Sequence, residues 1–158
     1  MMRLWGVFLW TIFLLATLLL YGREEGRRLA EYRGLVRLIS HINDSLAASP
    51  LPLAEIYARF SDEALMRTEF LSLLRRSGFS SALLSGGLHL SKAEKEPFYL
   101  YAEELGTRLY ENEKQKTSAL LRYASDTLQK KTAEAPRRRR LASTLFFTGG
   151  MLLLLLIL

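Results

Sequence analysis

The sequence predicts an all-α protein: a small cytoplasmic antiparallel helical bundle held between two transmembrane helices. Apolar residues recur at spacings of three and four with almost no strand-like alternation. Two segments, 4–21 and 141–158, run 18 residues each without a charge, and arginine crowds the inner edge of both. As helix, such a segment measures about 27 Å, close to the roughly 30 Å hydrocarbon core of a bilayer. The chain accordingly divides into an N-terminal transmembrane helix over 1–21, a helical bundle over 22–136, and a basic juxtamembrane stretch with a C-terminal transmembrane helix over 137–158.

The position of the charge sets the expected orientation. The formal net charge is +6, yet residues 41–136 hold 12 basic and 13 acidic residues. The excess sits beside the apolar segments: five arginines against three glutamates over 22–40, and four successive arginines, Arg137, Arg138, Arg139 and Arg140. Arginine near the end of a span resists translocation and marks the cytoplasmic side. A two-pass protein of the cell membrane is therefore expected, with the bundle in the cytoplasm and both termini outside it. Two other readings stay open. The arginine run also suits nucleic-acid binding or targeting, although its adjacency to a span argues for topology and against nucleic acid. Residues 1–21 also suit a cleaved signal peptide, although only Arg3 precedes the apolar stretch, which exceeds the usual run of roughly 7 to 15 residues, and no A-x-A-like site follows.

Between the spans each helix follows from its apolar stripe. Tyr32, Leu35, Ile39, Ile42 and Leu46 line one side of a helix over 27–46, widened by Leu29, Val36 and Leu38. The first span runs into this helix, since glycine at 22 and 26 costs about 1 kcal/mol each without breaking it. Pro50 and Pro52 stop it near Ala48 and open a second helix bearing Leu53, Ile56, Tyr57 and Phe60. Ser61 reads as the N-cap of the next, with Asp62 and Glu63 in its first turn, Leu65, Phe70, Leu73 and Leu74 on its apolar side and Gly78 at its end. A short helix or turn follows around Gly86 and Gly87. Ser91 and Glu94 form a capping box for a helix through Phe98, Tyr101, Ala102, Leu105 and Leu109, in which Pro97 implies a kink or a later start near Glu96. A last helix, from about Asn112 to Ala133, turns Leu120, Leu121, Ala124 and Leu128 inward and is interrupted by Pro136. Five or six such helices make a small bundle.

No catalytic pattern emerges, and no cofactor or metal is expected. Cysteine is absent, which removes disulfides, thiolate nucleophiles and Cys-type zinc sites. His41 and His89 have no partner at metal-ligand spacing, G-x-S-x-G is missing, and Gly86-Gly87 belongs to neither a P-loop nor a dinucleotide fingerprint. Glu103 and Glu104 point to different faces of one helix. The apolar segments carry no ionisable residue, so neither reads as an ion pathway on its own. Thr11, Thr17, Thr144, Thr148 and the Gly149-Gly150 pair offer interhelical contacts.

The order of these pieces resembles the stage III sporulation protein AB family, whose cytoplasmic domain is similar to the platform protein of type II secretion and type IV pilus systems. The resemblance spans nearly the whole chain: an N-terminal span, a basic helix, "SPLPLAEIYARF" from Ser49 to Phe60, "ELGTRL" from Glu104 to Leu109, a charged helix, and a basic lead into a C-terminal span with glycines. Pro50-Leu51-Pro52 and Leu105-Gly106 are its most specific matches. The chain departs from the family at Tyr110, at Asn112-Glu113 and at Thr117, and is shorter over 61–91.

That resemblance implies a non-enzymatic platform or adaptor of a sporulation channel or secretion-like complex in an endospore-forming bacterium, in the mother-cell membrane around the forespore. Its expected partners are the membrane, a cytoplasmic secretion-type ATPase like stage III sporulation protein AA, and other membrane proteins of the same operon. Leu51, Pro52, Glu55, Gly106, Arg108 and Tyr110 are the candidate partner contacts; shaping turns and core is the competing role of each. A membrane-tethered regulator or sensor whose bundle binds a soluble signalling protein is the alternative, and an enzyme with an unrecognised site is a third. The topology is checked with alkaline-phosphatase fusions: activity is expected at Leu158 and none near Ser91, and the reverse pattern contradicts the orientation.

Overall fold

The computed structural model describes residues 2–48, 51–107 and 110–157, with the side chains at 2–8, 11, 14, 139 and 152–157 outside that description. These residues form seven helices and no strand: α1 (Met2–Ala48), α2 (Leu53–Arg59), α3 (Glu63–Met66), α4 (Phe70–Ser77), α5 (Phe79–Ser85), α6 (Lys92–Glu104) and α7 (Tyr110–Ile157). The all-α expectation is met. The chain divides into two compact units, one of residues 27–129 and one of residues 1–26 with 130–158.

In the unit 27–129, the α1 stripe is the floor on which the short helices rest. Leu35, Leu38, Ile39 and Ile42 are completely buried there, with Tyr32 and Leu46 nearly so. Phe98 of α6 meets Tyr32 edge-on at 5.5 Å, and Phe79 of α5 stands edge-on to both Phe70 at 6.2 Å and Tyr101 at 6.5 Å. Such pairs add about 0.5–1.5 kcal/mol to the burial of the rings themselves. His41, on the edge of the stripe, donates from Nε2 to the Ile56 carbonyl at 3.1 Å and lies against Phe60, which seats α2.

Two buried carboxylates clasp connecting segments to α1. Glu31, only 1% exposed, lies on the stripe one turn before Leu35. Its Oε2 accepts the His89 backbone N–H at 2.6 Å; its Oε1 accepts His89 Nδ1 at 2.9 Å and lies 3.4 Å from Arg27 Nε. Asp62 accepts from Arg37 at 3.0 Å through Oδ2, while its Oδ1 accepts the backbone N–H groups of Ala64 and Leu65. A buried carboxylate without such partners is strongly destabilising. The approach of α3 to α1 is close: a Cβ on buried Gly34 would stand 2.8 Å from Leu65 Cγ and 2.9 Å from Asp62 Oδ1. Only a bare Cα fits there.

Several elements differ from the sequence reading. Asp62, not Ser61, caps α3, because its second carboxylate oxygen also gains the Arg37 guanidinium. The single helix expected from Ser61 to Gly78 is two, α3 and α4. Thr68 Oγ1 donates to the Leu65 carbonyl and accepts from Phe70 N–H, replacing helical bonds at the break. The Ser91–Glu94 capping box opens α6, and Pro97 lies inside the helix without ending it. This helix stops at Glu104 rather than continuing to Leu109, as Leu105 turns extended and Gly106 takes a φ of +86°; Leu109 lies outside the described residues. Pro136 does not interrupt α7 either. Thr132, the residue one turn back whose carbonyl proline cannot serve for want of an N–H, is exposed, and the flanking Lys, Ala, Glu and Arg are strong helix formers.

In the other unit many of the described apolar side chains remain uncovered, although Trp10, Leu18 and Phe146 are half-buried. Phe13 is 60% exposed, Leu20 65%, Leu145 and Phe147 72%, and Met151 70%. Among the described residues no helix is long and apolar enough to cross a membrane; the segments 4–21 and 141–158 are described only in part. Gly150 is buried, whereas a Cβ on Gly149 would meet nothing within 4 Å.

Gly34→Ala is expected to destabilise the bundle by about 1–3 kcal/mol through overpacking, while Gly26→Ala, where a Cβ meets nothing within 4 Å, should gain up to about 1 kcal/mol of helix propensity. Thermal unfolding of the full chain in mild detergent separates the two.

Candidate partner-docking site

The two sequence motifs singled out above lie far apart along the chain and meet in the structure. The first is the turn into α2. Pro52, exposed, has φ −59° and ψ 139° and caps the helix, its carbonyl accepting the N–H of Glu55 at 2.9 Å and of Ile56 at 3.2 Å. Proline suits this place because its fixed φ starts the helix and its missing N–H is not needed. Ile56 and Tyr57, both buried, anchor the helix, which leaves Leu51 and Leu53 half-buried against the core margin. Glu55 pairs with Arg59 one turn on, at 2.5 Å.

The second is the turn from α6 to α7. Gly106 takes its left-handed φ so that the chain reverses after Leu105, and its N–H donates to the Glu113 carboxylate. Thr107 donates its hydroxyl to the Glu104 carbonyl at 2.7 Å, and Lys116 pairs with the Glu104 carboxylate at 2.6 Å. Tyr110 opens α7, half-buried against the core. Leu53 joins the two turns: its Cδ1 lies 3.3 Å from where a Cβ on Gly106 would be.

Beneath this surface lies a row of hydroxyls. Thr117, fully buried, donates to the Glu113 carbonyl at 2.7 Å. Its one proton is thereby used, so the Tyr101 hydroxyl, 2.7 Å away, is the donor to Thr117 Oγ1. Burial pushes the Tyr101 phenol up to about 12, and burial with the neighbouring Tyr101 and Glu113 also raises Tyr57. Both are neutral near pH 7; Tyr101 acts as a hydrogen-bond donor and Tyr57 as a buried packing group.

Of the predicted contacts, Leu51, Pro52 and Glu55 occupy the first turn and Gly106 and Tyr110 the second, while Arg108 lies outside the described residues. Arg137, Arg138 and Arg140 stand exposed on α7, Arg138 paired with Glu134 at 2.9 Å; the Arg139 side chain is outside the description. Sequence reasoning passed over the Glu31–His89 clasp, the Asp62–Arg37 pair and the Tyr101–Thr117 bond. Glu31 was findable, since positions 31, 35, 38 and 42 share one helical face and three of the four are apolar. Nothing in the sequence pairs it with residue 89. Among the described residues no group of three or more His, Asp or Glu could hold a metal.

No family model, no curated protein and no solved structure matches the chain.

A phenol whose pKa is raised on folding ionises first in the unfolded chain. Its contribution is whole below about pH 10, the unfolded value, and is lost as pH rises through about 12, by up to about 1.4 kcal/mol per unit for each group. Urea unfolding should therefore show stability level up to pH 10 and falling above it. Tyr57→Phe is expected to lessen that fall while changing stability near pH 7 by less than about 1 kcal/mol.

Proposed function

We propose that the chain is a non-enzymatic platform or adaptor, anchored in a bacterial membrane by 4–21 and 141–158, whose helical bundle docks a cytoplasmic secretion-type ATPase to a membrane assembly of the sporulation-channel kind. The observation that carries this reading is the uneven covering of apolar side chains. The unit 27–129 buries most of its large apolar residues, leaving Met66, Leu84, Leu100 and Tyr123 exposed, whereas in residues 1–26 and 130–158 most of the described leucines and phenylalanines are exposed. Each exposed leucine or phenylalanine left in water forgoes about 1.5–3 kcal/mol of burial, so another apolar phase is needed. A bilayer supplies it. The hydroxyls of Thr17, Thr144 and Thr148 donate to the carbonyls of Phe13, Arg140 and Thr144 one turn back. This is how a polar side chain is satisfied where water is absent.

The docking surface on this reading is the junction of the 51–55 turn with the turn from α6 to α7. Half-buried Leu51, Leu53, Leu105 and Tyr110 supply apolar area there, and the most specific matches of the resemblance to the sporulation family, Pro50-Leu51-Pro52 and Leu105-Gly106, fall in these same two stretches. The bundle holds no recognised chemistry to drive transport, so energy comes from the partner.

Full-length protein drawn from sporulating cells in mild detergent is expected to bring down the ATPase. Ala54→Arg with Glu111→Arg, both at exposed positions, should cut recovery about tenfold or more without shifting thermal unfolding. Failure to recover any ATPase after gentle crosslinking contradicts the docking role.

A further inference from the structure

The face of α7 that follows Pro136 changes character within one helical turn. Arg137, Arg140, Leu141, Thr144, Leu145 and Thr148 follow a three-four spacing, share one side of the helix, and are all exposed. The opposite side, with Ala142, Ser143, Phe146 and Gly150, is half-buried or buried. Neither Arg137 nor Arg140 has a described side-chain partner, and the acid nearest in sequence, Glu134, is already engaged by Arg138. No acidic residue follows it in the sequence. One turn further on the same face is hydrocarbon: Leu141 is 57% and Leu145 72% exposed, and the two threonine hydroxyls are engaged by backbone carbonyls of their own helix.

We propose that this face is a binding site for an anionic phospholipid, with the guanidinium groups of Arg137 and Arg140 on its phosphate and one acyl chain along Leu141, Thr144, Leu145 and Thr148. The proposal rests on the membrane reading above and adds a lipid class to it. From Arg137 to Leu141 the helix climbs about 6 Å at 1.5 Å per residue, and each polar layer of a bilayer is about 5–8 Å deep. Guanidinium holds phosphate oxygens through two parallel hydrogen bonds, a geometry lysine lacks. A free phosphate, or a nucleic acid, would engage the arginines and leave the leucines in water. An acidic protein would do the same. Only a ligand with anionic charge and hydrocarbon in that order covers both. The other terminal segment repeats the arrangement independently: Arg23, exposed and without a described partner, follows Leu19 and Leu20, 55% and 65% exposed, by one turn.

The test places a reporter on the face itself. Trp5 and Trp10, the chain's two tryptophans, are replaced by phenylalanine, Leu145→Trp becomes the sole emitter, and the full chain is reconstituted in phosphatidylcholine vesicles. Lipids brominated on the acyl chain then quench the emitter on contact. Brominated phosphatidylcholine should quench it, as the membrane reading requires, and brominated phosphatidylglycerol should quench with an apparent preference of about thirtyfold at low salt, the equivalent of two arginines engaged at an anionic surface. That preference should shrink toward unity at about 1 M salt, where the screening length is roughly 3 Å. Arg137→Gln with Arg140→Gln should abolish the preference while leaving quenching by phosphatidylcholine unchanged, and the corresponding lysine pair should retain part of it. Replacing chloride with inorganic phosphate at equal ionic strength should leave it intact. Equal quenching by the two lipids, or a preference that survives in the glutamine pair, overturns the lipid site and spares the membrane reading. Loss of the preference to inorganic phosphate assigns the arginines to a free anion instead. Absence of quenching by either lipid overturns both.

Discussion

Burial of the α1 stripe between Tyr32 and Leu46 is the constraint on which the unit 27–129 depends. A single helix with Leu35, Leu38, Ile39 and Ile42 pointing to one side cannot stand alone in water. The segments that cover it are too short to be stable helices by themselves. Each exists because one or two large side chains reach the same core: Ile56 and Tyr57 from α2, Leu65 from α3, Phe70 and Leu74 from α4, Phe79 and Leu83 from α5, Phe98 and Tyr101 from α6. Where the connections would otherwise be loose, buried carboxylates hold them. Glu31 binds the segment before α6 through His89, and Asp62 binds the start of α3 through its cap and Arg37. These clasps set which part of α1 each segment touches, something that apolar packing alone specifies weakly.

The candidate docking surface is a by-product of that packing. Leu53 and Gly106 come together because α2 and the end of α6 both close on the same core, and the left-handed turn at Gly106 leaves room for the leucine. Polar groups nearby are committed locally: Glu55 to Arg59, Glu104 to Lys116, and Glu113 to the Gly106 N–H. A surface whose charges are engaged and whose leucines are half-covered is suited to holding a partner rather than to moving protons. The arginines next to the exposed apolar segment of α7 have the opposite character. Among the described residues Arg137 and Arg140 have no side-chain partner, and they lie beside uncovered hydrocarbon.

Helix type and the inward faces were open to inspection in the residues themselves. The three-four spacing of α1, the proline before α2, the capping box at Ser91 and the glycine after α4 are local signals whose physics acts within a turn or two, and the structure follows them. Errors fell where one local preference met another. Ser61 and Asp62 both cap helices, and the choice between them turned on Arg37, 25 residues earlier. Proline ends helices in general, yet in α7 the neighbours of Pro136 favour helix and the residue one turn back, Thr132, is exposed. Thr68 carries no strong breaking signal, but its hydroxyl replaced helical bonds on both sides of it.

By itself the sequence determined that this protein is helical, which side of each helix turns inward, and that its basic charge gathers beside two uncharged apolar stretches. Each of those properties depends on residues within a few positions of one another. Tertiary structure alone decided that Glu31 would meet His89, that Tyr101 would donate to Thr117, and that residues 51–55 would lie against Gly106. Such contacts join residues 16 to 58 positions apart, and no short-range periodicity encodes which of many compatible surfaces will touch once the chain is compact.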